Sequence, residues 1–140
     1  MSRPPSILLF ERLWIAALML GAVNMVIAWP LTLAAYRASG LFAALRVEPR
    51  LGLLLIDMLT LLIQLSVLIL VSRAGSRIAR GIVFLLAAWA LVMIARMAGE
   101  REAVPGAQGM LAAICIFLQA AGAAILLRPD ARAWMGRERI

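Results

Sequence analysis

Few side chains in this chain could carry chemistry. There is no histidine, one cysteine and seven acids in 140 residues. Imidazole bases and imidazole metal ligands are therefore excluded. Cys115 lies inside an apolar run, with no second cysteine for a disulfide and no companion for a metal site, so packing is its expected role. Glu100 and Glu102 are close enough to pair for acid–base work, but their short polar loop puts them in solvent. No GxxxxGK[ST] or GxGxxG phosphate loop occurs. A lipid-modifying enzyme would need several carboxylates at one membrane face, and the chain lacks that cluster. The expectation is a non-enzyme, with no cofactor and no metal.

The polar candidates that remain lie inside apolar stretches: Asn24, Asp57, Gln64 and Gln119. Asp57, Thr60 and Gln64 recur at i, i+3 and i+7 and share one helix face. Ala17, Gly21, Asn24 and Ala28 form a small and polar stripe, as do Ala112, Cys115, Gln119 and Gly122. Bulky residues suit lipid and small ones suit helix contacts, so these stripes are expected to face one another. The three amides fall near the middle of their stretches. An interhelical latch is their expected role, and a polar lining for a solute path is the alternative. Asp57 lies roughly 9 Å along the axis from Leu51. A carboxylate in hydrocarbon must pair, protonate or reach water. Arg37, Arg46, Arg50 and Arg96 are its expected ion-pair partners. Proton or cation handling, and exposure to headgroups, are the other readings.

The elements that position these residues are long apolar runs. The chain is 65% hydrophobic and 15% charged, with a mean hydropathy of +1.00. Soluble domains are nearer 45–50% apolar and about 25% charged. Leu51 to Val71 carries only Asp57 and Gln64 as strongly polar groups and is long enough for a hydrocarbon core of about 30 Å. Four spans are expected, at about 13–36, 51–71, 78–98 and 108–127. The expected fold is all-α, one transmembrane domain over 1–140, a four-helix bundle of transmembrane helices with short loops. Trp14 and Trp29 are spaced as anchors at opposite interfaces, and Pro30 bends the end of the first span. That first run is too long for a cleaved signal and is expected to be retained. Gly40 breaks the helix and Pro49 marks the next start. Between them Leu41, Phe42 and Leu45 suit the membrane surface, with Arg46 in water.

Net charge is +7 and every basic residue is arginine. The arginines are dispersed between apolar stretches, which argues against nucleic acid and for anionic headgroups of a lipid bilayer. With four spans, nine arginines fall on the side of both termini and five on the other, placing both termini in the cytoplasm. The segment RAGSRIARGI, with Arg73, Arg77 and Arg80, and the tail LLRPDARAWM, with Pro129, Arg132 and Trp134, resemble small bacterial four-span inner-membrane proteins of no assigned function. That resemblance implies a bacterial inner-membrane location and no substrate. The expected function is a structural or accessory component of a membrane complex, with a membrane protein partner or a homo-oligomer. The alternative is a small oligomeric transporter or channel for an ion or small solute. A midplane amide set and Asp57 motivate the alternative, and the lack of chemistry motivates the first.

Overall fold

The computed structural model describes residues 3–99 and 106–136. Six helices follow one another: α1 (Pro5–Ser39), α2 (Leu41–Ala44), α3 (Pro49–Ser72), α4 (Arg77–Gly99), α5 (Ala107–Ile125) and α6 (Pro129–Gly136). Local signals set most of the boundaries. Pro5 and Pro49 stand at the first helical position, where a missing N–H costs nothing. The Glu48 carboxylate caps α3 by accepting from the Leu51 N–H at 2.8 Å. Gly40 ends α1 at φ 68°, a left-handed position that glycine adopts freely. Helix α1 continues through Pro30, which cannot donate to the Val26 carbonyl.

Helix α1 packs chiefly on α5 and then on α3, and α4 runs back alongside α3 and α5. Two apolar cores result. The larger joins Ile7, Phe10 and Trp14 of α1 to Val67 and Val71 of α3, Val83 of α4 and Leu126 after α5. The smaller joins Leu33, Phe42 and Leu53 at the far end, with Trp29, Tyr36 and Val47 packed on it. Helix α6 meets the start of α1 beside the larger core, where the Ser6 N–H donates to the Asp130 carboxylate at 3.4 Å. Asp130 thus ties α6 to α1. Outward faces are apolar, with Val26, Leu85 and Phe117 largely exposed, as a lipid-facing surface requires.

The expected four-span bundle is not what the structure contains. Among the described residues three helices are long and apolar enough to cross a membrane: Pro5–Ser39, Pro49–Ser72 and Gln108–Ile125. Helix α4, expected as a span at 78–98, is not one of them. The side chains of residues 94 and 96–99 of α4 lie outside the described residues, so its described run is shorter than those three. Among the described residues the fold is all-α, with six helices and three candidate spans. Helix α1 also begins eight residues before the expected 13–36 span. Glu11 and Arg12 interrupt the apolar sequence before Leu13, but residues 7–10 ahead of them are apolar and the helix runs through the interruption, with Glu11 paired to Arg3 at 2.7 Å.

Candidate functional site

The polar residues of the helix interior meet where α1, α3 and α5 touch. The Gln119 side-chain N–H donates to Gln64 Oε1 at 3.1 Å, from α5 to α3. The Trp14 indole N–H, on α1, donates to the Gln64 backbone carbonyl at 3.3 Å. Three helices are thus tied at one residue. Gly122, one turn along α5 from Gln119, faces this contact; a Cβ there would lie 3.5 Å from the Phe10 ring and 3.6 Å from Trp14, at ordinary van der Waals distance. Phe10 and Trp14 themselves stack at 5.3 Å.

Trp14 is the residue that sequence reasoning misplaced. Its position suggested an interfacial anchor, yet it is 0% exposed and central to the larger core. A signal was present: Trp14, Ala17 and Gly21 share a face at i, i+3 and i+7. A second tie joins α5 to α1 near the other end, where Gln108 Nε2 donates to the Ile27 carbonyl at 3.0 Å. Ile27 adjoins Val26, whose carbonyl lacks its usual helical donor because residue 30 is proline.

Asn24 does not join the glutamines. Its Oδ1 is enclosed and has no hydrogen-bond partner among the described residues. Asp57 is on the same face of α3 as Gln64, about two turns away, and is partly exposed. Among the described residues no guanidinium lies within 4.0 Å of it, since Arg3–Glu11 is the ion pair present. Arg37, Arg46 and Arg50 are exposed instead, and the Arg96 side chain lies outside the described residues. The expected Asp57 clamp to the first loop is therefore not made by those three arginines. Cys115 is buried and free, and no group of acids, histidines or cysteines able to hold a metal occurs among the described residues.

Two carboxyls outside the spans are shifted. The Leu51 N–H, then the Arg50 and Arg37 guanidiniums, hold the Glu48 carboxyl below its ordinary value. Asp130 is also held low, by the adjoining Ser6 side chain and then the Ser6 N–H. The Ser6 hydroxyl lies outside hydrogen-bond geometry, so the bond itself is made through the backbone. Both carboxylates serve to fasten helix ends. The polar arrangement as a whole can hold helices together, and it brings no nucleophile to a base.

No family model, no curated protein and no solved structure matches the chain. The resemblance to small bacterial four-span inner-membrane proteins is accordingly set aside: three helices rather than four qualify as spans among the described residues, and the short arginine and tryptophan motifs that suggested it are matched by no family. The chain stands as an all-helical protein with several long hydrophobic helices, of the kind found in membrane-associated proteins.

Proposed function

We propose that this protein is a non-enzymatic structural or accessory component of a membrane complex. The observation that carries the proposal is the use of the interior polar groups. Gln64, Gln119 and Trp14 hydrogen-bond one another across α1, α3 and α5, so the interior is a fastening, and the surface left to act is the apolar exterior. We further propose a cytoplasmic-membrane location, supported by the three long apolar helices and by arginines placed between apolar stretches.

A transporter is the second reading, favoured by Asp57 without a described guanidinium and by the unpartnered Asn24 Oδ1. Purification in mild detergent with mass measurement separates the two. The accessory reading expects the 15.2 kDa chain to travel with a different polypeptide. A homo-oligomer giving pH-dependent flux in vesicles, lost in D57N, would refute it and select the transporter.

A further inference from the structure

The corner where α1, α2 and α3 meet combines three features that the helix-fastening role does not use. The first is charge. Arg37, Arg46 and Arg50 are all exposed, and none of their guanidiniums makes an ion pair within 4.0 Å among the described residues. Glu48 is the one acid in residues 33–53; its carboxylate accepts from the Leu51 N–H and feels Arg50 and Arg37, and the three arginines still outnumber it. The second is an apolar shelf. Leu41 and Leu45 are 46% and 62% exposed, beside an open groove of about 580 Å³ lined by Ala35, Tyr36, Ser39, Gly40, Leu41 and Ala44.

The third is backbone placement. Arg46 has φ 55°, a left-handed conformation that disfavours any residue with a Cβ. It closes α2 in a Schellman arrangement: the Arg46 N–H reaches the Ala43 carbonyl at 3.1 Å and the Val47 N–H reaches the Phe42 carbonyl at 2.9 Å. Glycine is the usual occupant of that position. An arginine there carries a backbone cost that glycine would avoid. The corner sits where the apolar run of α3 begins, which on the membrane reading above brings it to the depth of lipid phosphates.

We propose that this corner binds one anionic phospholipid, its phosphate held by Arg37, Arg46 and Arg50 and an acyl chain laid along the groove beside Tyr36 and Leu41. Guanidinium groups match phosphate oxygens in fork geometry, and the shelf supplies apolar contact directly below. The site rests on the membrane reading above and is independent of the accessory role.

Native mass spectrometry of the detergent-purified protein, with dioleoylphosphatidylglycerol and dioleoylphosphatidylcholine at equal concentration, tests it. The wild type is expected to retain one phosphatidylglycerol in preference to phosphatidylcholine. Each headgroup-facing arginine is worth roughly a factor of five. R46G is therefore expected to weaken retention about fivefold, and R37Q/R46Q/R50Q on the order of a hundredfold. R46G relieves the backbone strain and so keeps the fold, which circular dichroism checks; it carries the test should the triple variant not fold. R128Q/R132Q, at the opposite end, is expected to bind as the wild type does. Equal retention of the two lipids, unchanged retention in R46G, or equal loss in R128Q/R132Q overturns the site. Displacement by millimolar inorganic phosphate would also overturn it, by assigning the arginines to a free anion. Sedimentation of the wild type with membranes tests the underlying reading separately, so protein that pellets but shows no lipid preference refutes the site alone.

Discussion

Replacing Gln64 and Gln119 by leucine, singly and together, probes the bond that joins α3 to α5. Leucine has nearly the volume of glutamine, so neither change opens a large cavity. Q119L removes the donor and leaves the Gln64 amide enclosed without its 3.1 Å partner. Stranding a buried polar group costs about 1–3 kcal/mol. The lower end applies here, because a helix released within a bilayer finds other partners for its amides. Each single variant is expected to lose about 1 kcal/mol. The double variant strands nothing. Moreover, Q64L keeps the backbone carbonyl that accepts from Trp14. The pair is therefore expected to lose less than the sum, with a coupling of about 0.6–1.7 kcal/mol. Unfolding in mild detergent by added dodecyl sulfate, followed by helical circular dichroism, measures all four corners of the cycle. Additivity within about 0.3 kcal/mol would refute the latch as an energetic link.

Further outcomes follow from neighbouring geometry. G52A places a Cβ into the buried Phe42 ring, which cannot withdraw from its packing with Leu33 and Leu53; a loss of about 1–3 kcal/mol is expected in a thermal melt, as for other overpacked sites, and adding F42A to G52A should relieve the part of that loss due to the clash. D57N is expected to leave stability within about 0.5 kcal/mol of wild type, because no described guanidinium lies within 4.0 Å to be stranded; a loss of several kcal/mol in the same melt would restore the ion-pair reading. The Asp130 carboxyl is held below its ordinary value, so its contact with Ser6 contributes fully above about pH 4 and fades as pH falls through the lower folded value. Hydrogen exchange at Ser6 is expected to quicken on acidification in the wild type and to be insensitive to pH-linked loosening in D130N.

The two ends of the molecule differ in what their packing achieves. At the end where α6 meets the start of α1, aromatic and β-branched residues from α1, α3 and α4 meet the small residues Ala123 and Ala131 in one large core. At the other end Phe42 alone wedges between α1 and α3, tilted against Tyr36 at 5.1 Å and seated over Gly52. The glutamine bond lies between these cores, so neither end of the stack can shift without straining it. Such a frame suits a protein whose interior is fixed and whose outer faces meet lipid or a partner.

Local physics was legible in the amino-acid sequence. Apolar runs with few charges identify helices that need lipid, and Gly40 and Pro49 mark breaks because their backbone constraints hold whatever surrounds them. The shared faces of Asp57, Thr60 and Gln64, and of Cys115, Gln119 and Gly122, follow from 3.6-residue periodicity alone. Helix ends were less legible. The hydrogen bonds of α1 run straight through the charged pair Glu11 and Arg12, whereas a hydropathy reading stops at it and misses the apolar residues 7–10 beyond. Partner choice was decided only by tertiary structure. Gln64 and Gln119 are 55 residues apart, and nothing local pairs them. Trp14 is buried because α1 packs against α5 and α3 there, while an isolated helix would leave it at an interface. Opposite charge suggested arginine partners for Asp57, but reach governs an ion pair, and Arg37, Arg46 and Arg50 are exposed to solvent instead. No local rule sends Arg46 into a left-handed conformation either. The short path from α1 to α3 around Phe42 does, because the chain must reverse there within a few residues.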